Sequence, residues 1–582
     1  MLNLPLTLLS SCLLWLPSAT AADYKWPSQP YDALEELLYE GARPDGSSLA
    51  DLVRPCKLRG GTNTTVAAEW LRLVYHDTST HNVSDGTGGL DGSIFFEIGR
   101  SENVGAGMNN TISDFSQYPN KYVTRADIIA IATIFATTTC GGPIVPFRGG
   151  RIDANAAGPL GVPDPSDSLE SLTNNFAKQG YNVSEMIQLV ACGHTLGGVR
   201  FPDFPTIVEG SGQSTVVQLF DETQQFDHAI ISQYLDGTTR DPLVVGNQTM
   251  ASDLRVFSSD NNVTMQSMNS AESFSKTCVT IFDKMLTTIP SGVTLTDEIT
   301  LLPFKVSSTQ LTVSGSQLQF QANLRVVVPS NSTTVQMYWC DRYGSSANCS
   351  GNLKRYASSG GAITVSSPVT TAMNVSLRRY QFVVPINVDQ GISKFWFVVD
   401  YGNGTTTVAD NGGSEYVVDQ DDVLFVPSMS RDKSVLTGSN GVSVTAAVKG
   451  TPSHVFIDCF GRATNDFLPV NKTFDLTLNT SIPAVAGYNF YTGTATDDFG
   501  ATMQFDIVAV GSDGKQSVDT YRQSGLIGMA IAPASEVKST TDGKVGGTSG
   551  AESVMMMSLG SWYSRWGVAA VAGLWTLSYC CL

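Results

Sequence analysis

The sequence predicts a multidomain protein: a mainly α domain over residues 23–295, followed by two all-β immunoglobulin-like sandwiches over 300–425 and 430–530. Three observations carry this. Apolar residues recur at helical spacing from Tyr31 to about Ile289. Beyond Pro290 the texture changes to alternating, β-branched segments separated by Gly, Asn and Ser turns. Within that β half the pattern repeats: the stretch ending at Cys340 lines up with the one ending at Cys459, and Phe395–Gly404 lines up with Phe505–Gly514, at offsets of 119 and 110 residues. One larger sandwich is the alternative.

The elements follow in chain order. Val66, Trp70, Leu73 and Val74 mark one face of a helix over Thr64–Asp77. Thr124 and Asp127 open a run of Ile and Ala that continues to Thr139. Asn182 and Glu185 form a capping box for a helix whose buried stripe is Val183, Met186, Ile187 and Val190, with Gly197-Gly198 as its stop. In the β half, Gln317–Val326, Phe395–Tyr401 and Gln504–Val510 read as strands.

Composition narrows the setting. The 582 residues carry 35 Lys and Arg against 53 Asp and Glu, a net charge of −18, which argues against nucleic acid as a partner. Only 15% are charged while 42% are hydrophobic, with 54 Gly and 25 Pro, as in a folded, turn-rich extracellular protein. Residues 1–22 read as a secretory signal, an apolar run from Leu4 to Leu16 followed by small residues. Residues 531–551 are a Ser/Thr/Gly-rich stalk, and 552–582 have the layout of a GPI-attachment signal that is removed, ending in the apolar tail Trp566–Leu582. That tail is shorter than the ~20 residues of a spanning helix. The expectation is a secreted protein held at the cell surface by a lipid anchor. Twelve N-x-[ST] sequons, from Asn63 to Asn479, agree with secretion. Without signal and anchor seven Cys remain, an odd number, so at least one thiol stays unpaired or pairs between chains.

The chemistry sits around two of the five histidines. His81, His228 and His454 are expected at the surface or as satisfied side chains. Arg72 and His76 stand at i and i+4 in Leu71-Arg-Leu-Val-Tyr-His-Asp77, so both project from one face of an otherwise apolar helix. His194 lies in Leu189-Val-Ala-Cys-Gly-His-Thr-Leu-Gly-Gly198, at a helix end and on its apolar stripe, as suits a metal-ligating imidazole in a dry pocket.

Over about residues 35–290 these motifs resemble the haem peroxidases of the plant, fungal and bacterial superfamily, the secreted fungal type in particular. Arg-x-x-aromatic-His-Asp resembles the distal signature and Gly-His-Thr-Leu-Gly the proximal one, in family order and 118 residues apart. Glu97 and Asn103 match the distal Glu and Asn, Pro146–Asp153 the segment after the fourth helix, Asp253 the acidic partner of the proximal His, and Phe220 the proximal aromatic. The resemblance implies haem b, with His194 as axial ligand and His76, Arg72 and Asn103 as the peroxide-splitting set. It also implies two calcium ions, one held by Asp77, the Gly89 carbonyl, Asp91 and Ser93, the other by Thr195, Asp221, Thr223 and Asp227, with a carbonyl near Gln225. It further implies a bridge between Cys56 and Cys140. Cys192 is expected as a free core thiol, Cys340 to pair with Cys349, and Cys278 and Cys459 stay unassigned.

Departures from the family limit the substrate. The positions of the three manganese-binding acids are Thr65, Glu69 and Arg200, the surface Trp of lignin-oxidising relatives falls at Leu189, and the ascorbate-binding Arg falls at Asp203. Tyr75 replaces the distal Phe or Trp; a radical site is the alternative to the favoured reading, a packing substitution whose hydroxyl finds a partner. The expected function is a cell-surface peroxidase that reduces hydrogen peroxide and oxidises small phenol-like donors at the haem edge, with cell-wall glycan or protein contacts through the β-domains. The alternative is an inactive, peroxidase-like adhesion protein.

Overall fold

A computed structural model describes residues 24–527 apart from 44–45, 211–215, 330–331, 343–348, 350–352, 359–360, 433–440, 463–466, 497–498 and 500–502. The leader, the stalk and the anchor signal expected from the sequence lie outside the described residues. Among the described residues no helix is long and apolar enough to cross a membrane.

The helical half comprises α1 (Gln29–Glu40), α2 (Leu49–Val53), α3 (Val66–Thr78), α4 (Ala106–Phe115), α5 (Arg125–Thr139), α6 (Leu169–Lys178), α7 (Val183–His194), α8 (Ala229–Asp236), α9 (Pro242–Val245), α10 (Ser252–Phe257), α11 (Val263–Ser267) and α12 (Ala271–Leu286). Their ends follow the side chains. Thr124 accepts from the Asp127 N–H to start α5, and Asn182 and Glu185 form a reciprocal box at α7. The central α5 is apolar on every side and buried almost throughout, so the other helices pack around it. A short hairpin of β1 (Gly198–Arg200) and β2 (Val217–Leu219) follows the α7 end.

The first β unit runs β3 (Phe304–Ser314), β4 (Gln317–Val327), β5 (Thr334–Cys340), β6 (Leu353–Ala357), β7 (Ile363–Val365), the short helix α13 (Pro368–Ala372), β8 (Leu377–Ile386), β9 (Lys394–Asp400), β10 (Thr406–Ala409) and β11 (Tyr416–Val417). The second runs β12 (Val423–Phe425), β13 (Arg431–Asp432), β14 (Val442–Lys449), β15 (His454–Arg462), β16 (Pro469–Asp475), β17 (Thr477–Leu478), β18 (Tyr488–Ala495), β19 (Gln504–Val510) and β20 (Gln516–Gln523). Each unit has two antiparallel sheets, ordered β3-β4-β8-β7 and β6-β5-β9-β10 in the first, and β12-β14-β18-β17 and β16-β15-β19-β20 in the second. The two orders are the same when strands are matched in sequence, so the repeat in the sequence is a repeat of topology. Val423–Phe425 pairs with β14, so it lies in the second unit, where it takes the part that β3 takes in the first.

The β units are joined to the helices through a buried array of charge. Lys305, Arg325 and Arg379 are cross-strand neighbours on β3, β4 and β8, and they face Asp32, Glu35, Glu36 and Glu40 on one side of α1. Arg325 donates to both oxygens of Glu35, at 3.0 and 2.6 Å, and its Nη1 lies 3.6 Å from Glu40. Lys305 pairs with Asp32, and Arg379 with Glu40 and Glu36. Just before α1, Trp26 packs edge-on against Phe395 and Tyr416, and its backbone exchanges two hydrogen bonds with the Asn411 side chain. The second unit reaches the helices at Lys121–Asp506, at Arg462–Ser116 (3.1 Å) and through the Tyr122–Tyr521 ring pair.

Three disulfides join Cys56 to Cys140, Cys192 to Cys278 and Cys340 to Cys349. Cys192 is therefore not the free thiol expected from the sequence. It lies on the buried side of α7, where α12 brings Cys278 to a Cα–Cα distance of 5.6 Å, within bridging reach. Among the described residues the unpaired thiol is Cys459, buried on β15. Of the remaining histidines, His454 is exposed and paired with Asp475 (2.8 Å), and His81 lies 3.0 Å from the Gly88 carbonyl.

Candidate active site

Helix α3 carries Arg72 and His76 one turn apart, and α7 ends on His194. The two helices meet closely at Gly197, whose position leaves no room for a side chain: a Cβ there would stand 2.5 Å from that of Ala68. His76 is buried, and its Nδ1 lies 2.7 Å from Asn103 Oδ1. Asn103 is itself fixed by donating to the Glu97 carbonyl at 3.0 Å, so the amide oxygen must face the imidazole and Nδ1 must carry the proton. That leaves Nε2 as the basic atom. Burial, with the neighbouring Arg72 charge, holds the His76 pKa well below the ordinary histidine value, which keeps the ring neutral.

Arg72 stands over the Phe204 ring, 5.4 Å from its centre. Burial lowers its pKa to about 10, against the pull of Asp203 and Glu69, so it stays cationic at neutral pH. Gly105, at φ +109°, lies between the Arg72 guanidinium and Asp203, with its Cβ position 3.4 Å from Arg72 Nη1.

On the other side His194 Nδ1 lies 2.6 Å from Asp253 Oδ2, and the ring stacks on Phe220 with centres 4.3 Å apart and planes 7° apart. Its side chain keeps 33% of its surface exposed although it closes a buried helix. With Nδ1 tied to Asp253, the exposed atom is Nε2, and a neutral imidazole held this way is a suitable axial ligand for iron. These residues therefore fit a haem between α3 and α7.

The two loops expected from the sequence to hold calcium gather oxygen but also satisfy much of it internally. Asp77 accepts N–H groups from Asp91, Gly92 and Ile94, and Ser93 Oγ is buried without a hydrogen-bond partner among the described residues. Burial and the Asp91 charge push the Asp77 carboxyl well above its ordinary range, as for a site short of positive charge. Gly89 takes φ +111°, and its N–H donates to Thr80 Oγ1. In the second loop Thr195 Oγ1 donates to the Asp227 carbonyl, Thr223 donates through N–H and hydroxyl to Asp221 Oδ1, and Asp221 Oδ2 is buried without a partner among the described residues. Burial pushes Asp221 up to about 6. The Gln225 carbonyl accepts from Thr223 Oγ1 at 3.4 Å. Among the described residues no three His, Cys, Asp or Glu side chains converge as metal ligands. Each loop offers two carboxylates plus hydroxyl and carbonyl oxygens, a donor set that suits a hard cation.

The positions that departed from the family are occupied otherwise. Glu69 is engaged by Arg59 (2.5 Å), Thr64 and Asn110, and Arg200 by Asp203 (3.0 Å). Leu189 is buried. Tyr75 stacks on Phe176, and its buried hydroxyl faces the Gln179 side chain.

The family model described as Peroxidase matches residues 52–273, the segment that carries every one of these side chains. Residues 52–273 are a peroxidase-family domain. A WSC domain-containing protein of Arthroderma benhamiae is 32% identical over 532 residues, covering 89% of this chain and 69% of that protein. L-ascorbate peroxidase 5, peroxisomal, of Arabidopsis thaliana is 33% identical over 129 residues, 22% of this chain and 46% of that protein. The mitochondrial cytochrome c peroxidase of Yarrowia lipolytica is 29% identical over 186 residues, 31% of this chain and 48% of that protein. The chain thus spans less than half the length of these two peroxidases and more than two thirds of the longer fungal relative.

Proposed function

We propose that the protein is a secreted haem peroxidase that reduces hydrogen peroxide and oxidises small phenol-like donors, held at the cell surface by a lipid anchor. The observation that carries the catalytic part is the pair of histidines with opposite supports: His76 bound at Nδ1 by an amide oxygen, and His194 bound at Nδ1 by a carboxylate. Haem, when bound, supplies the iron on which peroxide is activated and the electron-transfer chemistry. His194 would hold it through Nε2, with Asp253 raising the ligand's donor strength and Phe220 fixing the ring plane. His76 Nε2 takes a proton from the incoming peroxide and delivers it to the departing oxygen, a shuttle that requires the neutral ring. Arg72 stabilises the negative charge that develops as the O–O bond breaks.

Asp77, Gly89, Asp91 and Ser93 would hold one calcium ion, and Thr195, Asp221, Thr223 and Asp227 a second, each neutralising a carboxylate that burial otherwise disfavours. The occupied manganese positions, and Asp203 in place of Arg, favour small neutral donors over manganese or ascorbate. The sheet orders of the β units support an immunoglobulin-like reading, since four strands in the order first, second, sixth, fifth face four in the order fourth, third, seventh, eighth. In this reading they carry contacts to cell-wall glycans or proteins. Secretion and the anchor rest on the sequence of the two ends.

Two measurements test this. Purified full-length protein expressed with haem available should show a Soret band, and its absence would overturn the enzyme reading in favour of an inactive adhesion protein. A phosphatidylinositol-specific phospholipase should release the mature protein from membranes without any peptide from Trp566 onward. Recovery of a peptide ending at Leu582 would overturn the anchor.

A further inference from the structure

Two of the four large β-sheets turn their outer faces on the helices: Lys305, Arg325 and Arg379 lie against α1, while Asp506 and Tyr521 meet Lys121 and Tyr122. The outer face of β5, β9 and β10 stays accessible. Along these strands Met337, Trp339, Phe395 and Phe397 point inward and are buried, whereas the alternating Gln336, Tyr338, Trp396 and Val398 are only half-buried. Tyr338 and Trp396 are cross-strand partners, and their rings lie nearly parallel, 14° apart with centres separated by 5.9 Å. Gln336, Val398 and Val408 form the next cross-strand row, with Val408 51% exposed. Polar groups border this strip. The Tyr338 hydroxyl donates to Gln336 Oε1 at 3.3 Å, and Lys394, two residues from Trp396 on the same strand, pairs with Glu415 at 3.2 Å.

Charge and size decide what such a strip can hold. Lys394 and Glu415 cancel, and Asp400 and Arg355, in register with Thr334 and Tyr338 on the two flanks of β5, are opposite in sign. In a chain of net charge −18 this face is therefore balanced, which suits an uncharged partner. Its few side chains fall far short of the ~20–30 residues a side that a stable protein interface uses. A sugar chain needs no more than this. A pyranose has a face of C–H groups that packs on an aromatic ring, and a rim of hydroxyls that bonds to amide, phenol and charged groups.

We infer that Tyr338 and Trp396 form a docking strip for an uncharged glycan chain, with Gln336, Lys394 and Glu415 bonding its hydroxyls. The inference rests on the reading that the β units contact the cell wall, and commits that contact to polysaccharide. The two rings brace each other on a rigid sheet, so little rotamer freedom is lost when a sugar packs on them. On the matching strands β15 and β19 the second unit carries the cross-strand pair Asp458 and Asp506 instead, and Asp506 is spent on Lys121.

The test uses full-length protein expressed with haem available, and neutral probes: insoluble β-1,3-glucan and chitin in sedimentation assays, and their hexasaccharides in titrations of tryptophan fluorescence. Wild type should sediment with at least one polymer, equally at low and high salt, and its fluorescence should respond to the matching hexasaccharide. Trp396→Ala and Tyr338→Ala should each weaken this binding about tenfold, the scale of one lost aromatic contact, with the Soret band and the rate with peroxide unchanged. Trp396→Leu, which keeps an apolar side chain but removes the ring, makes the same comparison should the alanine variant fail to fold. Wild type that binds neither glycan, or variants that bind as well as it does, would overturn the inference. So would binding that salt abolishes, or a dimer in light scattering that Trp396→Ala splits, since these mark a charged or a protein partner. A Soret band without glycan binding overturns this inference alone, whereas a protein without a Soret band overturns the peroxidase reading while sedimentation still decides the strip.

Discussion

Removing the Cys192–Cys278 bridge by Cys192→Ala/Cys278→Ala isolates the contribution of a crosslink that closes a loop of 86 residues. The chain-entropy relation gives ~4.6 kcal/mol at 25 °C for a loop of that length. Alanine leaves no polar atom in the buried site, so the loss reflects the crosslink and a small packing defect. The assay is guanidinium unfolding of the full-length protein under non-oxidising, non-reducing conditions, followed by near-UV signals of the helical half. Each single variant should lose as much as the double, since either breaks the bond. The Cys56–Cys140 bridge, at a separation of 84, provides a control of nearly equal loop length. Both pairs should cost a similar amount, but only loss of Cys192–Cys278 should loosen the end of α7 and weaken haem retention by His194. A loss below about 1 kcal/mol, or singles that add to the double, would refute the reasoning.

Arg325→Met should destabilise the protein by roughly 3–5 kcal/mol, because Glu35 stays buried without its cationic partner while Glu40 keeps only Arg379; calorimetry should show Arg325→Met/Glu35→Leu recovering part of it, and no loss in the single variant would contradict the array. Glu36→Gln tests pH dependence. Burial and Glu40 push Glu36 up to about 7, above its unfolded value, so the folded state binds the extra proton, and the stability this contributes is complete below about pH 4.3 and lost as pH rises through about 7. Glu36→Gln should therefore stabilise at pH 8 by an amount that vanishes near pH 4.5, and a pH-independent difference in urea midpoint would rule this out. The rate of reaction with peroxide should stay flat from pH 8 to below 6.5, as the depressed His76 pKa requires. Arg72→Leu should slow it and move its acid inflection upward, which stopped-flow absorbance would detect.

The parts of the site that were legible in the sequence are those set by spacing along one helix. Arg72 and His76 share a face because they are four apart, and the caps at Thr124 and Asn182 are local hydrogen bonds. What depends on distant segments was not legible in this way. Cys192 reads as an apolar core residue because nothing within its own helix announces Cys278. Arg325 sits at a polar position of an alternating strand, a pattern that normally marks the solvent face. Here α1 covers that face and supplies the counter-charge. The β topology was legible as a repeat, since matching strands carry matching patterns, whereas the placement of Val423–Phe425 depended on its partner strand.

The Trp26 contact also sets a timetable for synthesis. The segment ahead of α1 is among the first parts of the folded chain to leave the ribosome, yet its Asn411 partner is encoded 385 residues later. At ~5–20 residues per second this is an interval of roughly 20–80 s. Over much of that time Glu35 and Glu40 also wait, because Arg325 and Arg379 lie 290 and 339 residues downstream. The helical half thus emerges with its first helix lacking both its ionic and its aromatic seat, so ribosome-arrested chains ending before residue 325 should be cut by protease at α1, while chains extended past residue 420 should resist. Equal cleavage of the two would show that α1 settles without its downstream partners.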